Sequence, residues 1–181
     1  MLSPLNGIAL FTDVSLNPKL KLGVGAYLLV PAPFLELSPQ SIERPEIAGR
    51  LMIRRFERTS STSLEVQTVL WALEDYRNAL KGPDPEKIQV YSDSQCIAGL
   101  LRRRPGLEAD VLPGHGTNRP LKNISLYRRF YEFYDAMGFE VIKVAGHSRS
   151  CSHNTIHRIF SMIDKEVRKA LRRWMGELSN Q

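Results

Sequence analysis

The period of the hydrophobic residues changes near residue 60, and this change constrains the fold more than any other feature of the sequence. Before it, short apolar and β-branched runs are separated by turn residues, which predicts strands joined as an antiparallel meander. After it, apolar residues recur at helical spacing, and helices alternate with short strand-like runs. The predicted strands are residues 8–13, 22–30, 51–57, 87–92 and 139–145. The predicted helices are residues 62–81, 94–103, 124–137 and 154–175.

This order of elements predicts an α/β fold. A meander followed by strand–helix units forms a mixed five-stranded sheet, with antiparallel and parallel strands and helices on both faces. Residues 31–45 contain four prolines, and residues 104–120 are rich in proline and glycine, so both segments predict loops. Since no stretch is long enough to be a linker, we expect a single domain over residues 1–181.

Composition excludes several classes of protein. No apolar run approaches the roughly 18–20 residues that a membrane helix needs, and no basic segment leads into an apolar stretch at the start. Two cysteines, Cys96 and Cys151, are too few for a disulfide framework and lack the spacing of a zinc site. We therefore expect a cytoplasmic protein, not associated with membranes, and a monomer.

Positive charge is concentrated in the last third of the chain. The sequence has 25 Lys/Arg and 19 Asp/Glu, a net charge of +6. Residues 121–181 hold 11 of those bases and 6 of the acids, which leaves 14 and 13 for residues 1–120. This distribution indicates either a surface for a polyanion or an ordinary solvated helix face, and charge alone does not separate the two.

Three acidic residues lie where a site can form. Asp13 and Asp93 close the first and fourth predicted strands, and Glu65 lies in the first turn of the first predicted helix. In sheets with parallel strands, functional sites lie at the carboxyl ends of the strands. Carboxylates brought together there repel one another unless a bound cation neutralises their charge. Mg²⁺ prefers such oxygen ligands. The alternative is that the two aspartates are turn or cap residues, and that the helix dipole favours Glu65.

Five segments of the sequence resemble those of type I ribonuclease H, in the order of that family. They are residues 11–15 with 23–27, 62–65, 91–99, 121–127 and 144–148. In that order, these segments are similar to five features of the family. The features are the first hairpin, the start of the helix that carries the catalytic Glu, the Asp-Ser-Gln junction between strand and helix, the opening of the fourth helix, and the Gly-His loop. The resemblance covers nearly the whole chain and implies the ribonuclease H fold.

The resemblance also implies a reaction. It predicts an endonuclease that hydrolyses the RNA strand of RNA–DNA hybrids with two Mg²⁺ or Mn²⁺ ions, leaving a 5′-phosphate and a 3′-hydroxyl. The catalytic and metal-binding residues would be Asp13, Glu65 and Asp93. His147, on the loop after the last strand, would help to move protons or to release product.

The sequence departs from the family pattern at four places, one of which is the Gly/Pro-rich loop at residues 105–120 in place of the family's basic protrusion. Val14 stands where a Gly usually follows the first Asp, and Ser61 and Thr62 replace the Asn pair before the Glu. The fourth metal ligand, an Asp ten residues after the loop His in the family, falls on His157. Asp164 is the alternative, although it needs seven extra residues, about 10 Å along a helix. We expect His157, and therefore good activity with Mn²⁺, because imidazole suits transition metals better than Mg²⁺.

Polar and basic residues near these positions are the expected contacts with nucleic acid. Hydroxyl and amide groups would meet ribose 2′-hydroxyls in the minor groove, whereas cations and a helix N-terminus would hold phosphates. Three arginines at 102–104 would add further phosphate contacts. The expected contact residues are Ser15, Ser61, Thr62, Ser94, Gln95, Lys122, Asn123 and Arg128.

Two alternatives for the function stay open. The same fold and metals could act on double-stranded RNA or structured DNA, because the residues at positions 14, 61 and 62 differ from the family pattern. The chain could also be a non-catalytic nucleic-acid-binding module, which the unusual fourth ligand would allow. The set of three acids argues against that module, because a scaffold gains nothing from clustered carboxylates.

Overall fold

A mixed five-stranded sheet forms the centre of the molecule in the computed structural model, which describes residues 7–79, 87–109, 123–145 and 154–180. Its strands are β1 (Gly7–Asn17), β2 (Leu22–Pro31), β3 (Met52–Phe56), β4 (Lys87–Ser92) and β5 (Glu140–Lys143), in the spatial order β3-β2-β1-β4-β5. The pairs β1–β2 and β2–β3 are antiparallel, whereas β1–β4 and β4–β5 are parallel. The predicted mixed sheet is confirmed.

Helices cover both faces of this sheet. They are α1 (Arg44–Arg50), α2 (Ser61–Ala79), α3 (Gln95–Ala109), α4 (Ile124–Met137) and α5 (Thr155–Ser179). Along β1 the side chains alternate, so that Ala9 and Phe11 are buried in the core beneath α5, and Leu10 in the core beneath α2. None of the helices within the described ranges is long and apolar enough to span a membrane.

The prediction of a loop over residues 31–45 is wrong. Two short 3₁₀ helices, Ala32–Glu36 and Pro39–Ser41, are followed by α1. Each has a proline in its first positions, where the missing N–H costs no hydrogen bond. These helices are too short to show periodicity, and they are held by long-range packing, because Ile42 and Ile47 are completely buried beside α5.

The prediction that the third helix stops before Arg104 is also wrong. Helix α3 continues through Pro105 to Ala109, while the remainder of the predicted loop, residues 110–120, lies outside the described residues. Arg104 holds the extension in place by contacts with Glu108 at 2.6 Å and with both carboxylate oxygens of Asp135 at 2.5 and 2.7 Å. These ion pairs connect the turn around Pro105 to its own helix and to α4.

Two glycines of β2 allow α2 to lie close to the sheet. A Cβ at Gly23 would overlap Leu64, and one at Gly25 would overlap the hydroxyl of Thr68. Both neighbours are buried residues of α2. The close approach sets the height of α2 above the sheet and therefore the position of Glu65, which follows Leu64.

Candidate active site

Asp13 lies inside β1 and does not end it. The parallel pairing of β1 with β4 ends at Phe11 and Tyr91, while the antiparallel pairing with β2 continues to Asn17. Asp13 is therefore two residues beyond the last β1–β4 pair, and the predicted strand end at this residue is corrected. Because alternate side chains share a face, Asp13 points to the same side as Phe11, towards α5.

The Asp13 carboxyl group is buried, with only 8% of the residue exposed. Its Oδ1 accepts a hydrogen bond from the Val14 amide at 2.8 Å, whereas the buried Oδ2 has no hydrogen-bond partner among the described residues. Burial, then the charge of Asp93 and to a smaller extent that of Asp164, raise the pKa of Asp13 to about 8, against the lowering effects of the Val14 amide and Arg168. A cation bound beside Oδ2 would stabilise the ionised carboxylate and lower this pKa.

Glu65 is bound to the residue that follows Asp93 at the carboxyl end of β4. Asp93 directly follows the last residue of that strand. The next residue, Ser94, donates a hydrogen bond from Oγ to Glu65 Oε2 at 2.6 Å, and Ser61 donates one to Glu65 Oε1 at 3.3 Å. At the ends of the neighbouring strands β1 and β4, the charge of Asp93 acts on Asp13 and Ser94 connects Glu65 to the end of β4.

Ser94, one of the expected contacts with nucleic acid, has its hydroxyl group used within the protein. Ser94 is only 5% exposed, and its Oγ accepts the Ile97 amide at 3.1 Å, which caps α3. With its donor used by Glu65 and its acceptor by the helix cap, this hydroxyl group positions a carboxylate. The sequence analysis identified neither the cap nor the long-range bond to α2.

The fourth candidate ligand lies on α5. His157 is half-buried in the first turn of that helix and forms no hydrogen bond or ion pair with the described residues. Asp164 lies two turns further along, 2.8 Å from Arg168 Nε, and is one of the charges that raise the pKa of Asp13. In the sequence, Asp164 directly follows Ile163, which is buried. This position places Asp164 at the edge of the helix face that packs on the sheet.

The remaining predicted nucleic-acid contacts have different environments. Gln95 is exposed and accepts a hydrogen bond from Lys143. Asn123 precedes α4 in a left-handed conformation with φ of 74°, and its Oδ1 accepts a hydrogen bond from Ser63 at 2.7 Å, so its side chain is used within the protein. The others are exposed (Ser61, Arg128) or half-buried (Ser15, Thr62), while Lys122 and His147 lie outside the described residues.

The expected grip of Arg103 and Arg104 on phosphates is also corrected. Arg103 donates to the carbonyl oxygens of Cys96 at 3.0 Å and Gly99 at 3.3 Å, and Arg104 is held by its two carboxylates. Arg102 alone of the three is exposed without such contacts in the described part of the chain.

The described ranges contain no group of three His, Cys, Asp or Glu side chains placed so that they could hold one metal ion as they stand. Comparison with the curated proteins found no match to this sequence. The family model for RNase H, in contrast, matches residues 6–171, a range that includes β1 through most of α5. Together with the mixed sheet and the acids at the β1–β4 edge, this match shows that the chain belongs to the RNase H family.

Proposed function

We propose that this chain is a metal-dependent endonuclease that cuts the RNA strand of RNA–DNA hybrids by a two-metal mechanism, leaving a 5′-phosphate and a 3′-hydroxyl. Ribonuclease H-type activity on hybrids is what membership of the family supports. The observation that carries the metal dependence is Asp13, a buried carboxyl group with an unpartnered oxygen and acidic neighbours. Such a group is costly unless a cation is bound beside it.

The residues that would hold Mg²⁺ or Mn²⁺ are Asp13, Glu65, Asp93 and, on α5, Asp164. We favour Asp164 over His157 because the charge of Asp164 contributes to the raised pKa of Asp13. With four carboxylates the donor set suits Mg²⁺, and the expected advantage of Mn²⁺ disappears. Mg²⁺ usually binds through one or two carboxylates together with waters and substrate phosphates, so this set does not require three ligands on one ion. When bound, such ions activate water and stabilise the leaving oxygen of the phosphodiester.

The protein's own residues would orient these acids. Ser94 and Ser61 donate to the two oxygens of Glu65 and so fix its rotamer, as outer hydrogen bonds commonly do for metal ligands. The Val14 amide fixes Oδ1 of Asp13 and leaves Oδ2 for the cation. Thr62, Ser15 and exposed Gln95 stay proposed contacts with the minor groove, and His147 stays the proposed group for proton movement.

Cleavage of an end-labelled hybrid by the wild type and by Asp93→Asn tests the proposed activity. Asp93 is partly exposed, so its change to an amide disturbs the fold less than a change at Asp13. We expect the rate to fall by about 100-fold or more, with fragments ending in 3′-hydroxyls. Parallel reactions on RNA duplex and DNA duplex decide between the substrate alternatives. Equal cleavage by both proteins, or none by the wild type with any divalent ion, would reject the proposal.

The fourth ligand is tested by Asp164→Asn beside His157→Ala. We expect Asp164→Asn to lower activity and Mg²⁺ affinity by about 10–100-fold, because a carboxylate near the ion is lost, and His157→Ala to stay close to the wild type. A loss confined to His157→Ala would restore the imidazole ligand and, with it, the expected preference for Mn²⁺.

The domain organisation of the protein is also a proposal. The family match and the sheet include elements from β1 to α5, which supports a single ribonuclease H-like domain over residues 1–181. The monomeric state and the cytoplasmic location stay predictions from the sequence.

A further inference from the structure

Four basic side chains form a stripe along α5. Lys165, Arg168, Lys169 and Arg172 are all exposed, and their spacing of three and four residues places them on one face of the helix. Arg44 of α1 approaches this face and pairs with Glu166 at 2.6 Å. These five cations and Asp164 line a groove with a volume of about 430 Å³, which we call the α5 groove.

The charges in the α5 groove are only partly neutralised by the protein. Arg44 pairs with Glu166, and Arg168 pairs with Asp164 at 2.8 Å. Among the described residues, however, no ion pair involves Lys165, Lys169 or Arg172. A groove with three cations left over fits a polyanion better than an ordinary solvated face.

Two residues connect the α5 groove electrostatically with Asp13. Asp164 and Arg168 line it, and both also act on the charge of Asp13. From Asp164 to Arg172 the helix advances about 12 Å, at about 1.5 Å per residue. Phosphates of one strand of a duplex are spaced about 3.4 Å along its axis, so this length corresponds to three or four phosphates.

We propose that the α5 groove binds the phosphate backbone of the nucleic-acid duplex for three or four nucleotides beyond the scissile bond. The inference rests on the proposed function for the identity of the duplex as an RNA–DNA hybrid. Lysines act as point charges for phosphates and do not select bases. The groove therefore adds affinity and sets the register of the duplex without sequence preference.

Binding of a labelled 20-base-pair hybrid tests the groove, with all variants in the inactive Asp93→Asn background. The test variant is Lys165→Gln/Lys169→Gln. The matched control, Arg77→Gln/Lys87→Gln, removes the same charge at the last turn of α2 and the first residue of β4, the ends of those elements remote from the site. We expect the test variant to weaken binding by about 5–20-fold at 0.1 M salt and to reduce the salt slope of log K by nearly 2. The control should change neither quantity.

A charge-preserving variant separates electrostatic binding from damage to the helix. Lys165→Arg/Lys169→Arg keeps both cations, so we expect it to retain the affinity and the salt slope of the parent. If the glutamine variant binds like its control, or if the arginine variant loses affinity as the glutamine variant does, the groove does not bind the backbone.

Cleavage by the wild type, measured in parallel, keeps the two proposals apart. Failure of the wild type to cut hybrid, with binding still weakened by the glutamine variant, rejects the proposed function and leaves the groove as a duplex-binding surface. Efficient cleavage by the wild type, with no effect of the glutamine variant on binding, rejects the groove alone.

Discussion

Replacement of Asp13 by Asn should stabilise the metal-free protein while it abolishes activity. The reason is the pKa of the buried carboxyl group, which rises from 3.8 to about 8 through burial and the charge of Asp93. An acid whose pKa is higher in the folded state than in the unfolded state contributes its full stability only below the unfolded value, about pH 4. That contribution is lost progressively as the pH rises through 8.

The size of the effect follows from the same two pKa values. At about 1.4 kcal/mol per pH unit, ionisation of Asp13 lowers the free energy of unfolding by about 2 kcal/mol at pH 5 and about 5 kcal/mol at pH 8. Asn removes this penalty, but its amide group would occupy the place of unpartnered Oδ2 at a cost of about 1–3 kcal/mol. The net gain is therefore close to zero at pH 5 and about 3 kcal/mol at pH 8.

Urea unfolding of both proteins in EDTA, at several pH values between 5 and 8.5, measures this difference. A gain of about 3 kcal/mol at pH 8 also corresponds to a rise in Tm of about 6–12 °C for a chain of this size. Added Mg²⁺ should stabilise the wild type and have little effect on Asp13→Asn, because the cation satisfies the carboxylate that the variant lacks. A difference in unfolding free energy that does not change with pH would refute the reasoning.

Two further predictions concern the residues that position Glu65. Ser94→Ala removes the hydrogen bond to Glu65 and should reduce kcat/KM about 10-fold in a hybrid-cleavage assay, with about 1 kcal/mol of stability lost at the helix cap. Ser94→Thr keeps the hydroxyl group and is the control. Equal loss of activity in both variants would contradict the role assigned to the hydroxyl donor. Gly25→Ala should destabilise the fold by at least about 2 kcal/mol in urea unfolding, because its Cβ overlaps Thr68. Gly49→Ala in α1, where nothing lies within 4 Å of the new Cβ, should instead gain about 0.5 kcal/mol from helix propensity, and a similar loss in both variants would show that the close approach of α2 to β2 is not the cause.

Patterns that are local in the chain were sufficient for most of the fold. Period-two and helical spacing located all five strands and four of the five helices, and the boundaries of α4, 124–137, agree with the structure. The turn residues at position 138 and near position 18 are strong local signals. The adjacency of β1 and β4, on which the predicted site depends, comes from the tertiary structure.

Long-range contacts decided the rest. Helix α1 is stabilised by the burial of Ile42 and Ile47 in the core. Helix α3 continues beyond Pro105, where Arg104 forms an ion pair with Asp135 of α4. Neither partner can be read from the segment itself, because the energy comes from a residue distant in the sequence.

The sequence alone selected the three candidate acids, through their places on β1, β4 and α2 and the motifs around them, and their role is a proposal. Tertiary structure decided what surrounds them: that Asp13 is buried inside its strand, that Ser94 serves Glu65, and that α5 brings the charge of Asp164 near the site. Counting along the chain favoured His157, and the choice between His157 and Asp164 stays a proposal. Which turn of α5 approaches Asp13 depends instead on how that helix packs across the sheet, through residues such as Ile163 and Val167, and only the folded molecule contains that information.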